Sequence, residues 1–260
     1  WVRREDWETL PRRVGANTHR VLDLFAGAGV RATFFTLGWV AERHPELVRR
    51  IVAEGHELAS HGWQHVRVIH QSPEEFRADV IRTKALLEDL GGVPVRGYRA
   101  ASYSIGARNL WALEILAETG HVYSSSIFPG SHDLYGMPGA PRFRFRPDNA
   151  PALLEVPITT VELGTRRLPA AGGGFFRLFP YALSRALLRR VNREDRESGL
   201  FYFHPWEIDP AQPRPAGVSG RARFRHYLNL GRTESRLRRL LADFAWDRMD
   251  RVFLEPESAA

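Results

Sequence analysis

His61 and His65 are the residues best placed to do chemistry in this 260-residue chain. They close the stretch Gly55-His56-Glu57-Leu58-Ala59-Ser60-His61-Gly62-Trp63-Gln64-His65. Glu57 to Ser60 reads as a short strand, and a His-x-x-x-His pair follows it. If the segment after the strand coils as a helical turn, both imidazoles lie on one face. They can then reach one divalent ion, and neutral imidazole suits Zn²⁺. Spacing alone is weak, because ten His in 260 residues give roughly 0.4 such pairs by chance. Two surface or capping histidines fit the same spacing.

The surrounding segments alternate between strand and helix patterns. Asn17 to Ala28 has apolar residues at Val21, Leu22, Leu24 and Phe25 and stops at Gly29, which predicts a helix. Val30 to Leu37 is a β-branched and aromatic run, read as a buried strand. Pro45 to Glu54 is a helix. Ser72-Pro73-Glu74-Glu75 opens another with a Ser cap, a Pro in first position and acids in the first turn, and it runs to Leu90. Gly97 to Ala100 and Val122 to Ser125 are predicted strands, and Asn109 to Glu118 is a helix. Pro129 to Pro151 is irregular, Leu153 to Leu163 looks like strands, and Tyr181 to Asn192 is a helix. Leu200 to His204 is read as a buried strand, and Thr233 to Phe244 as the last helix. This alternation predicts parallel β-structure with crossover helices, and it cannot separate an open sheet from a barrel.

Composition removes several classes. Hydrophobic residues make up 43% of the chain, enough for a substantial core. No run of eighteen apolar residues occurs, so no membrane span is expected. The chain opens Trp1-Val2-Arg3-Arg4 without an initiating Met or an apolar signal core. The N-terminus is therefore expected to be missing, and a cytoplasmic location is favoured because no signal peptide is visible. Cysteine is absent, which excludes disulfides and thiolate ligands. Net charge is +7, and Lys84 is the only lysine. The arginines, such as Arg185, Arg189, Arg190 and Arg193, are scattered over helical patterns and read as solvated faces. No nucleic acid is expected as partner. An acidic polysaccharide is compatible with the charge, and the oligomeric state is open.

Several motifs come in one order: Ala32-Thr33-Phe34-Phe35, the His61/His65 stretch, Gly97-Tyr98-Arg99-Ala100, Ser125-Ser126-Ile127-Phe128-Pro129, Ala171-Gly172-Gly173-Gly174-Phe175-Phe176-Arg177 and Phe203-His204-Pro205-Trp206-Glu207-Ile208-Asp209-Pro210. Together they resemble the NodB-type polysaccharide deacetylases, carbohydrate esterase family four. The later segments resemble a bacterial subgroup found with exosortase and exopolysaccharide gene clusters. The likeness runs from about Thr18 to about Phe244. It implies a single domain over 1–260, with 129–260 including a subgroup-specific C-terminal region. The fold it implies is α/β, a distorted, incomplete (β/α)7 barrel with active residues at the C-terminal strand ends. In this chain the barrel is expected to lack its first strand.

The resemblance also implies roles. Members hydrolyse N-acetyl groups on hexosamines using a divalent metal, here expected to be Zn, held by an Asp-His-His set. A second Asp acts as base and a His as acid. His61 and His65 match the metal histidines, and His204 matches the acid, although a core-edge histidine is the plain reading of that residue. Arg99 matches the arginine that positions a catalytic carboxylate; a salt-bridge arginine fits as well. Backbone N–H groups from Ala100 to Tyr103 would be oxyanion donors. Trp63, Tyr103 and Trp206 are candidates for stacking on sugar rings, although burial in a core is the commoner fate of an aromatic. Gly173, Gly174 and Phe175, with Glu207, are the remaining sugar contacts; the glycines would equally make a tight turn.

Three departures stand out. The family's first motif, a strand ending in the two acids, is absent, and the roles do not transfer to Glu5 and Asp6. Ala101 stands where the subgroup has proline, and Ser124 where it has aspartate. Two readings follow: an N-acetylated polysaccharide is the substrate of a deacetylase, or the ligand of an inactive glycan-binding relative.

Overall fold

The computed structural model describes residues 6–131, 135–164, 166–215, 217 and 219–254. Its centre is a parallel sheet of five short strands, β1 (Thr33–Thr36), β2 (Glu57–Ser60), β3 (Gly97–Tyr98), β4 (Tyr123–Ser124) and β5 (Leu154–Glu155). Their spatial order follows the chain. Helix α1 (Val14–Ala28) precedes β1. The first crossover carries α2 (Gly38–Arg43) and α3 (Pro45–Ala53), the next α4 (Pro73–Gly91), and the third α5 (Trp111–Glu118). Sequential parallel strands with helical crossovers are the construction of a (β/α) barrel, here incomplete.

Local chemistry explains the boundaries. All four residues of β2 are buried, as expected of a strand covered on both faces. Ser72 Oγ accepts the Glu75 N–H at 3.2 Å, and the Glu75 carboxylate accepts the Ser72 N–H at 2.8 Å. That reciprocal cap starts α4 where the sequence predicts it. Gly29 and Gly92 end α1 and α4 at φ 65° and 63°, a left-handed conformation open to glycine. Phe76, Val80, Tyr98, Leu113 and Leu116 form the core between α4, α5 and the sheet.

The C-terminal half adds a hairpin, β6 (Thr160–Leu163) with β7 (Arg166–Pro169), paired antiparallel outside the main sheet. Helices α6 (Gly173–Leu178), α7 (Tyr181–Arg190), α8 (Gly220–Tyr227), α9 (Leu230–Asp243) and α10 (Met249–Phe253) follow. Leu24 and Phe25 of α1 pack in one cluster with Leu237 and Leu240 of α9, joining the two ends of the chain.

Leu153 to Leu163 does form strands, β5 in the parallel sheet and β6 in the hairpin. One expectation is corrected. Leu200 to His204 forms no strand. A strand needs a neighbour, and here the partner position is a cavity of about 910 Å³ lined by both Thr33–Thr36 and Leu200–His204. Phe25 bridges the two sides, with its ring 6.0 Å from Phe34 and 6.1 Å from Phe203. The outer edge of β1 therefore has no strand partner among the described residues.

Candidate active site at the strand ends

His61 directly follows β2, and its N–H extends the ladder to Thr36 O at 3.0 Å. Its Nδ1 donates to Arg99 O at 2.7 Å, which leaves the Nε2 lone pair to face the cavity. Burial, reinforced by the neighbouring His65, pushes the imidazole down to about 3, so it stays neutral. The rings of His61 and His65 lie 4.9 Å apart. No helical turn joins them. The chain bends at Gly62 (φ 74°) and again at His65 (φ 56°). Asp79 of α4 holds the bend by accepting the Trp63 N–H at 3.0 Å, and a Cβ at position 62 would lie 2.9 Å from its carboxylate. The expected pairing of the two rings is met by a left-handed loop rather than by helical spacing.

Arg99 follows β3 and is 8% exposed. Its Nε donates to Ser125 O at 3.1 Å and its Nη2 to Ser125 Oγ at 2.9 Å, with the guanidinium 4.0 Å above the Phe35 ring. It is thus a buried cation beside the cavity and not a surface ion pair. The loop after it is strained: Ser102 and Tyr103 have φ 54° and 50°. Such strain in non-glycine residues concentrates at functional sites. Of the expected oxyanion donors, the Ala100 N–H is taken by Ser126 Oγ and the Tyr103 N–H by Ala100 O. Ala101 and Ser102 remain as candidates, and Ser102 lines the cavity.

His204 stands on the same cavity with its side chain 47% exposed. Its Nδ1 donates to Glu207 Oε1 at 2.9 Å, and Arg177 Nε donates to Glu207 Oε2 at 2.8 Å. Burial raises the Glu207 carboxyl, but His204 and Arg177 outweigh it and hold the group below its usual value. Glu207 therefore stays ionised and fixes the tautomer that presents Nε2 outward. The Trp206 ring stacks on His204 at 5.5 Å and on His226 at 4.2 Å. Two adjacent imidazoles and an oriented third around one cavity suit ligation and proton transfer.

Residues 7–124 match the polysaccharide deacetylase family model, and residues 125–254 match a domain of unknown function, DUF3473. The first part of the chain is thus a polysaccharide deacetylase-type domain, and the DUF3473 region makes up the other half. A peptidoglycan-N-acetylglucosamine deacetylase of Bacillus cereus is 35% identical over 98 residues, 37% of this chain and 36% of that protein. A chitooligosaccharide deacetylase of Bradyrhizobium is 33% identical over 100 residues, 38% of this chain and 43% of that protein. The chain thus spans well under half the length of these curated relatives. A polysaccharide deacetylase-type structure from Mycobacterium smegmatis superposes with a TM-score of 0.60 at 23% identity, covering 91% of this chain and 75% of that one. That likeness supports the fold.

Several expected sugar contacts lie away from the cavity. Trp63 is 9% exposed, off the cavity, under the Arg82 guanidinium at 3.3 Å and against Gly38. Gly173 packs directly on the Glu207 carboxylate, with no room for a Cβ. Gly174 is exposed, and Phe175 packs with Phe179 at 5.8 Å. None of the three lines the cavity. Glu207 is 1% exposed and sits behind His204, where it orients the imidazole. Tyr103 and Trp206 do line the cavity, and Tyr202, which the sequence did not single out, joins Tyr103 at 5.1 Å. Arg177 and Glu155 were also missed. The one sequence signal for them is a charged residue inside an otherwise apolar run, as in Leu153-Leu154-Glu155-Val156.

Glu5 lies outside the described residues. Among the described residues, no three His, Asp, Glu or Cys side chains come together as a metal-binding set. The chemistry of His61 and His65 fits two positions of a zinc-type site, and the third is not supplied by the described residues.

Proposed function

We propose that this chain is a metal-dependent deacetylase that hydrolyses N-acetyl groups on hexosamine units of a bacterial polysaccharide, in exopolysaccharide metabolism. The observation that carries the reading is the meeting of His61, His65 and His204 on one cavity at the strand ends. His61 and His65 would hold the ion, Zn²⁺ by the softness of imidazole. Bound there, it would polarise the acetyl carbonyl and acidify water. His204, protonated at Nε2 and held by Glu207, would give its proton to the leaving amine. Tyr103 and Trp206 would bear on the sugar. The third ligand and the base that the family uses are carboxylates, and the described residues do not complete that set.

Acetate release from N-acetylated chito-oligosaccharides and peptidoglycan fragments tests the proposal, using protein that includes any residues encoded before Trp1. Release that disappears in His61→Ala is the expected result. Glycan binding without release would favour the inactive glycan-binding reading, for which the incomplete donor set among the described residues speaks.

A further inference from the structure

Glu155 is fully buried, at 0% exposure, in strand β5. Its Oε1 accepts the backbone N–H groups of Ser126 and Ile127, each at 2.8 Å, while Oε2 is buried without a donor. Ser124, Ser125 and Ser126 beside it are also fully buried. Parallel pairing sets Ser124 directly opposite Glu155 in register. From there a chain of bonds runs to the active site. The Ser124 hydroxyl reaches Ser126 Oγ at 2.8 Å, and Ser126 Oγ accepts the Ala100 N–H at 2.9 Å. Ser125, between them, takes both bonds from Arg99.

A buried carboxylate this far from water needs a balancing cation. Arg99 is also buried, and its guanidinium bonds Ser125 and Met249 rather than a carboxylate among the described residues. Burial raises the Glu155 carboxyl, and the Ser124 hydroxyl beside it, the two backbone N–H groups and the Arg99 charge pull it back. Each group thus supplies what the other lacks, across the serine turn at 124–126.

We propose that Glu155 is the positioning residue of this site, acting through Ser126 and Ser125 to place Arg99 and the strained 100–103 loop at the cavity. The role rests on the deacetylase reading only for its catalytic consequence; the placement itself is a property of the fold. The register implies that the carboxylate can be moved. Aspartate at position 124 would put it one strand over, on the same face and still next to Ser126 and Arg99.

The test uses Glu155→Gln and the double variant Ser124→Asp/Glu155→Gln of the full chain. Amide hydrogen exchange and the ¹⁵N resonance of Arg99 Nε are the readouts. In Glu155→Gln, exchange at Ala100, Ser126 and Ile127 rises about tenfold, as expected when a charge-assisted acceptor becomes a neutral one, and the Arg99 Nε resonance shifts. Exchange at Val80 and Leu113 stays as in the wild type. The double variant restores the Arg99 resonance and the Ala100 protection. A uniform rise in exchange, an unmoved Arg99 resonance, or a double variant that is unfolded or unrescued would each overturn the proposal. If the wild type releases acetate, kcat drops in Glu155→Gln with KM unchanged and recovers in the double variant. If it releases none, the deacetylase reading fails while the exchange and resonance data still decide the role of Glu155.

Discussion

His204 and His61 share one cavity but are held differently, and the difference sets their expected roles. His204 is tied by Nδ1 to an ionised Glu207, whereas His61 donates Nδ1 to a neutral carbonyl. The carboxylate orients the His204 ring for proton transfer, whereas the carbonyl on Nδ1 leaves His61 its Nε2 lone pair for a ligand role. His204→Ala should therefore lower kcat for acetate release by about 10²–10⁴ and leave metal content unchanged. Loss of metal in that variant, measured by atomic emission, would make His204 a ligand instead. His61→Ala should abolish Zn²⁺ binding in calorimetry, where the wild type binds weakly through two imidazoles. Equal binding by the two proteins would remove the site.

At the level of the element, α6 matters because its first residue must be small. Gly173 lies against the Glu207 carboxylate, and Arg177, one turn later, ion-pairs with that same carboxylate. The helix clamps the residue that orients His204. Gly173→Ala should cost about 1–3 kcal/mol through overpacking and should also depress acetate release, because Glu207 must move. Gly174→Ala is the matched control: it faces open space, and Ala favours a helix over Gly by about 1 kcal/mol. Urea denaturation of the two variants should move in opposite directions; equal losses would show that position 173 is not special.

Across the whole molecule, two buried groups pull stability in opposite directions with pH. Burial and Lys84 push His121, 3% exposed, down to about 4. The unfolded imidazole takes its proton near 6.5 and the folded one resists it, so this term is lost as pH falls from 6.5 to 4, by about 3 kcal/mol. Burial pushes Glu57, which bonds Tyr123 OH at 2.9 Å, up to about 7. Its term is complete below pH 4.5 and is lost as pH rises through 7. The two oppose each other between pH 4.5 and 6.5. Relative to wild type, Glu57→Gln should gain stability as pH rises through that window, and His121→Phe should lose it. Parallel denaturation curves for the three proteins would contradict both assignments.

Features encoded within a few residues were legible in the chain. The cap at Ser72, the stops at Gly29 and Gly92 and the strand Glu57–Ser60 occur where sequence places them. Local hydrogen bonding and periodicity decide such features. The His61/His65 pair was visible too, because its two members are near neighbours. Relations between distant residues were not legible. Gly173 and Glu207 are 34 positions apart, and nothing local shows that the glycine makes room for a carboxylate instead of a sugar. The same holds for Trp63, whose ring is covered by Arg82 from α4. Leu200 to His204 has a strand's composition but no strand partner among the described residues, because pairing is settled by what lies alongside. Ser124 read as a lost charge, yet the register of β4 on β5 places Glu155 directly opposite it. Sequence by itself determined the elements and the chemistry-bearing histidines; the tertiary structure decided which side chains face the cavity and which hold them there, since burial and charge balance act between segments that meet only once the chain has folded.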